Sequence, residues 1–99
     1  MTVACTTLEE VRENIDRLDQ QIVTLLAERG HFVSQAARFK KDTDDVKAPQ
    51  RVEQVVAKVR ALSEVVNANP DVTEQVYRAM IAAFIQQELA EHAALGTSG

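Results

Sequence analysis

The chain has 99 residues, 45% of them hydrophobic, and a net charge of -4 spread along its whole length. That is the size of one domain with a modest core of its own, so a second copy is a natural source of further burial. The absence of a run of like charge excludes a nucleic-acid-binding face or a basic membrane-seeking surface, while small anions held by a few placed cations stay compatible. Cys5 is the single cysteine, so no intrachain disulfide can form and a reducing compartment is expected. The first residues show no basic flank followed by an apolar core, and no stretch approaches the ~18 apolar residues of a membrane span. The expectation is a cytoplasmic protein with neither nucleic acid nor membrane as partner.

In chain order, residues 7–41 contain no proline, and Leu8, Val11, Ile15, Leu18, Ile22 and Leu25 alternate by three and four. The spacing predicts one long helix with a coiled-coil-like seam. Thr7 followed by Glu10 reads as a capping box at its start. Such a helix spans roughly 50 Å at about 1.5 Å per residue, so it must pack against something beyond its own chain. Residues 41–45 read as a polar connection. Ala48-Pro49 opens a second helix, with proline tolerated in the first turn, and Val52, Val55 or Val56, Val59, Leu62 and Val66 give it one apolar face. The Asn-Ala-Asn-Pro run at 67–70 breaks it. Asn69 then caps a third helix with Pro70 at its first position, and Val72, Val76, Met80 and Phe84 carry the pattern to about residue 92. The expected architecture is all-α, a single three-helix domain over residues 1–95 with a disordered tail at 96–99.

Some residues stand outside this pattern. Continuing the seam from Leu25 leads to position 29 and then to Phe32, Ala36 and Phe39, so Arg29 interrupts an apolar row and calls for an anion. Lys40 follows eleven residues later, about three helical turns, which places it on nearly the same face. Arg12 points about 100° away and suits the pocket of a second chain better than that of its own. Arg51 flanks the second apolar face, where its stem can be buried while the guanidinium reaches out. In the third helix Tyr77, Met80 or Ile81, Phe84 and Glu88 form a row in which a carboxyl ends an apolar stripe. Desolvation there would raise the pKa of Glu88 and keep it protonated as a hydrogen-bond donor. Plainer readings stand beside these. Arg29 can snorkel or pair with Glu28 or Glu13, Arg51 can be a solvated helix residue, and His31 can be a surface histidine. Glu88 can mark where the third helix emerges into solvent, exposed beside His92 at i,i+4. Glu88, Glu91 and His92 lack the matching carboxylate and histidine sets of a bridged metal site, so no metal is expected. Periodicity leaves open why four cations and one carboxyl should converge.

Several phrases carry a resemblance. They are Leu8-Glu9-Glu10-Val11-Arg12-Glu13-Asn14-Ile15-Asp16-Arg17-Leu18-Asp19, then Leu25-Leu26-Ala27-Glu28-Arg29, Ala37-Arg38-Phe39-Lys40, and Ala48-Pro49-Gln50-Arg51-Val52. Together they resemble the all-helical class of chorismate mutases and the related isochorismate pyruvate lyases, over residues 5–92. The resemblance implies an intertwined homodimer of three-helix chains, with the long first helices paired and two equivalent sites. It implies that Arg29, Lys40 and Arg51 of one chain, with Arg12 of the other, hold the two carboxylates of a small dianionic substrate, chorismate or isochorismate. Lys40 and the residue at 88 would face the ether oxygen whose carbon–oxygen bond breaks, with Phe84 also against the substrate. No cofactor is implied.

The chain departs from typical mutases at two places. Ala48 stands where they carry an acid before the second-helix arginine, and Val52 where they carry a glutamate after it to meet the ring hydroxyl. These apolar choices look like the lyase branch, whereas Glu88 occupies a position usually held by glutamine in both branches and by a protonated glutamate in some mutases. The resemblance therefore implies first the rearrangement of chorismate to prephenate, in the shikimate route to aromatic amino acids. The alternative is cleavage of isochorismate to salicylate and pyruvate, in salicylate biosynthesis. A third reading, from another class, is a non-catalytic helical dimerisation or regulatory module.

Overall fold

A computed structural model describes residues 4–97. Its regular elements there are all α-helices: α1 (Leu8–Ala37), α2 (Thr43–Lys47), α3 (Pro49–Val65) and α4 (Pro70–Thr97). The chain divides into two compact units, Met1–Phe32 and Val33–Gly99.

The first unit is the greater part of α1. The Thr7 hydroxyl accepts from the Glu10 amide at 3.1 Å, as a capping residue should. The returning carboxylate of Glu10 reaches the amide of Thr6 at 2.9 Å, one residue earlier than a standard box, so the cap is shifted outward. The seam from Leu8 to Leu25 is present and stands open: Val11 is 39% exposed and Leu25 62%, with Ile15, Leu18 and Ile22 between them.

The second unit is organised on α4. Helix α3 runs antiparallel beside it and buries Val56 and Val59, with Ser63 a turn further on satisfying its hydroxyl on the Val59 carbonyl. Ile81 is the buried apolar residue that α4 supplies in return. The two helices are joined by a Schellman turn. Asn67 sits in the left-handed region at φ 64°, the Ala68 amide reaches the Ser63 carbonyl at 2.7 Å, and the Asn67 amide reaches that of Glu64. Asn69 then caps α4 by accepting from the amides of Asp71 and Val72, with Pro70 first in the helix. The far ends of both apolar rows, Leu62 on α3 with Val66 just past its end, and Val72 and Val76 on α4, remain exposed.

Two boundaries differ from the sequence expectation. Helix α1 stops at Ala37, four residues short of 41. The amides of Arg38, Phe39 and Lys40 turn back to the carbonyls three residues earlier, a tightened final turn, and Phe39 is 83% exposed instead of continuing the seam. The chain leaves the helix because better partners exist: Asp45 accepts the Lys41 amide at 2.9 Å, and His92 engages the Lys40 carbonyl. The supposed polar connection contains α2, capped by Asp42, whose carboxylate accepts from the Asp45 amide at 2.9 Å. Five residues are too few for periodicity to reveal. Helix α4 in turn continues past residue 92 through the helix-favouring Ala93, Ala94 and Leu95 to Thr97. Of the expected tail, 96 and 97 belong to that last turn, and 98 and 99 lie outside the described residues.

Ion pairs lace α3 to α4. Arg78 binds Glu53 through both of its terminal nitrogens, at 2.9 and 3.0 Å, and Glu74 through Nε at 2.7 Å. Arg60 reaches Glu74 at 2.8 Å and Asp71 at 3.1 Å. The hydrogen bonds from Arg78 are the main reason that Glu53 and Glu74 titrate below the ordinary 4.5. A carboxyl with a lowered folded pKa favours the folded state above its unfolded value and loses that contribution as pH falls through the folded one. The thermal midpoint followed by circular dichroism should therefore hold steady near neutrality and drop once pH falls below 4.5. The acid-dependent part of the drop should shrink in Arg78→Met; an identical acid profile in that variant would show that these pairs do not set it.

Candidate active site

Glu88 lies on the inner side of α4, seven residues after Ile81, and is only 4% exposed. A carboxyl so placed must find a cation or keep its proton. The cation is Lys40, whose Nζ lies 3.4 Å from Oε1. Lys40 is not on α1, so its approach does not come from the helical spacing to Arg29. It sits on the link between α1 and α2, and α4 draws it inward. Its ammonium also donates to the Asp45 carbonyl at 3.2 Å, and its own carbonyl meets His92 Nε2 at 2.9 Å. A carbonyl can only accept, so Nε2 carries the hydrogen in this contact.

The solvent-facing reading of Glu88 is thus overturned, together with its exposed pairing to His92. Both residues point at Lys40, Glu88 at the ammonium and His92 at the backbone. A further tie lies alongside: the Ser34 hydroxyl donates to Glu91 Oε1 at 2.9 Å, and Gln87 donates to the same oxygen at 3.1 Å. Val46 of α2 is buried at 2% exposure and seats the link two residues before Ala48.

Ala48 ends α2 and begins α3 with φ 36° and ψ 62°, a left-handed conformation that costs a non-glycine residue about 1 kcal/mol. With Ala48 the single residue between the two helices, the whole corner falls on it. It sets Arg51 in the first turn of α3, exposed, and Val52, half-buried, beside it. Phe84 is half-buried one turn before Glu88. Arg12, exposed, and Arg29, half-buried, belong to α1 in the first unit. Of the residues singled out by sequence, the structure joins Lys40 directly to Glu88. His92 and the Asp45 carbonyl complete the lysine's surroundings and were missed. A backbone acceptor leaves no mark on residue type, and the one available signal was that His92 follows Glu88 by one turn.

No group of three or more His, Cys, Asp or Glu among the described residues could hold a metal ion. No helix there is long and apolar enough to cross a membrane. What the site offers is a primary ammonium, positioned from two sides, beside a nearly dry carboxyl. Such a pair can give hydrogen bonds to an oxygen on which negative charge develops.

The described chain is thus all-helical, with a lysine from a distant link paired to a buried carboxyl. Residues 11–89 match the family model of chorismate mutase type II, and the chain belongs to that family. It is also similar to an isochorismate pyruvate lyase of Pseudomonas aeruginosa, with 46% identity over 48 residues, which cover 48% of this chain and 48% of the relative. The chain thus matches about half the length of that curated relative.

The pair has a consequence for stability. Lys40→Met leaves Glu88 buried without its cation and should cost about 1–3 kcal/mol, at the lower end because the lysine is partly exposed. Glu88→Gln keeps an acceptor for the ammonium and should cost less. Urea unfolding of the three proteins measures this, and equal midpoints for Lys40→Met and the parent would mean that the contact contributes nothing.

Proposed function

We propose that the chain is a chorismate mutase, rearranging chorismate to prephenate in a site completed by a second copy of itself. The observation that carries this reading is the Lys40 ammonium held 3.4 Å from the buried Glu88 carboxyl, in a chain of the chorismate mutase type II family. The reaction breaks the ether carbon–oxygen bond while a carbon–carbon bond forms within the same molecule. It calls for no nucleophile, metal or cofactor. What it calls for is a compact, chair-like substrate conformer and stabilisation of charge growing on the ether oxygen.

Asp45 accepts one hydrogen bond from Lys40 and Glu88 pairs with its charge, which leaves an N–H for the ether oxygen. The Glu88 carboxyl holds the ammonium in place beside that oxygen. Arg29 and Arg51 of one chain and Arg12 of the other hold the two carboxylates, a task suited to the planar arginine fork. The open α1 seam supports the dimer, because a row of exposed Leu, Ile and Val at coiled-coil spacing is stable in water only when covered.

A second reading is isochorismate pyruvate lyase. Two observations favour it: the 46% identity to such an enzyme, and the apolar Ala48 and Val52 where a mutase would meet the ring hydroxyl. The two activities share the breaking bond and the cationic set.

A parallel ultraviolet assay with chorismate and with isochorismate tests the proposal. Prephenate should form, and Arg29→Ala or Lys40→Ala should lower kcat/KM by about 10²–10³-fold. Preferred release of salicylate would transfer the assignment to the lyase. No turnover of either substrate, with anion binding unchanged in Arg29→Ala, would leave a non-catalytic module. Sedimentation equilibrium should give the mass of two chains for the parent and of one for Ile15→Asp combined with Ile22→Asp, which should also be inactive. A parent that sediments as a single chain overturns the dimer.

A further inference from the structure

Lys40 is an unusual place to put a lysine that must be held still. It lies outside any helix, its amide makes only the 3.3 Å turn contact to Ala37, and four side-chain torsions separate its ammonium from the backbone. An ion pair to Glu88 limits where the charge can go but not where the stem starts. The stem's origin is set by the second contact from α4, the 2.9 Å bond between His92 Nε2 and the Lys40 carbonyl. Glu88 and His92 are four residues apart, hence on one face of α4, and they grip the lysine at its two ends.

We infer that His92 is a positioning residue for the reaction: by fixing the Lys40 backbone to α4 it aims the ammonium at the breaking carbon–oxygen bond. This rests on the role given to Lys40 in the proposed function. His92 itself touches no reacting atom. Its loss leaves the Lys40–Glu88 pair free to form, but lets the link swing about it. Because charge on the ether oxygen grows only toward the transition state, the misplacement falls on kcat and leaves KM nearly alone. A displacement on the order of 1 Å at such a group is enough to cost one to two powers of ten in rate.

The test uses the full chain with four variants and whichever of the two substrates the parent turns over. His92→Phe keeps the ring and removes the donor. His92→Gln keeps an N–H in a comparable place. Ser34→Ala cuts the neighbouring tie to Glu91, which also joins the segment before α2 to α4 but ends on Glu91 and not on the Lys40 carbonyl. Lys40→Met reports the full loss of the ammonium. The inference expects kcat to fall about tenfold in His92→Phe, or about 1.4 kcal/mol, with KM within about twofold of the parent. It expects most of that to return in His92→Gln, and Ser34→Ala to remain at the parental kcat. Circular dichroism confirms that the variants compared are equally helical; where His92→Phe is not, His92→Leu takes its place. Parental kcat in His92→Phe, with Lys40→Met inactive, overturns the inference and leaves the proposed function standing. Equal losses in His92→Phe and His92→Gln, or an equal loss in Ser34→Ala, also overturn it, by showing that ring packing or any tether to α4 is what matters. Absence of turnover in the parent, or parental turnover in Lys40→Met, overturns the role of Lys40 and the inference with it.

Discussion

A carboxyl buried to 4% exposure, as Glu88 is, places a demand that its surroundings have to meet. Meeting it here means bringing Lys40 from a link some fifty residues earlier in the chain onto α4. That explains three local features at once. Helix α1 ends in a tightened turn instead of running to 41, α2 exists as one capped turn, and the far part of α4 carries polar residues that point inward. Each would be an oddity if α3 and α4 were only a packed pair. Together they describe a helix, α4, whose first half holds a partner by packing and surface ion pairs and whose second half holds a loop by buried polar contacts.

The first unit poses the opposite problem. Along α1 the chain has spent its most regular apolar pattern on a surface that stays open, with Ile15, Leu18 and Ile22 each at least 42% exposed. A single helix gains little from its own propensity, since most helical stability in proteins comes from burying such a face. Such a face fits the dimer proposed above, as does the distance along α1 between Arg12 and Arg29. Cations about five helical turns apart on one rod, and on different faces of it, cannot both point into one small pocket of the same chain, whereas two rods lying side by side could share them.

Much of this was legible in the sequence wherever a residue type has one strong local meaning. Pro49 and Pro70 opened helices, Asn69 capped one, Thr7 began another, and the three-four alternation of α1 showed where its stripe runs. The all-helical class followed from these, and the family from the spaced phrases around Arg12, Arg29, Lys40 and Arg51. What could not be read was decided by contacts between distant segments. The end of α1 depends on Asp45 and His92, so periodicity extended it too far and placed Lys40 on a helix it does not occupy. The burial of Glu88 was one of two equally sound readings, because a carboxyl at the end of an apolar row looks the same whether the row ends or the protein continues around it. The left-handed corner at Ala48 gave no sign, since alanine is not a residue chosen for that conformation.

The ties within the second unit also differ in how much chain they enclose. Arg60 and Arg78 reach partners 11 to 25 residues away, across the α3–α4 turn. The contacts that create the lysine–carboxyl pocket close far longer loops: His92 and Lys40 are separated by 52 residues, Ser34 and Glu91 by 57. Closing a longer loop costs more chain entropy before any contact is gained. The hairpin is accordingly the part that can form on local information, and the pocket is laid onto it afterwards. The same order holds in reverse: the 38–48 link can lift from α4 in a partial opening that leaves the hairpin intact, making the pocket the least protected feature of the unit to amide exchange and the first to be lost under mild stress.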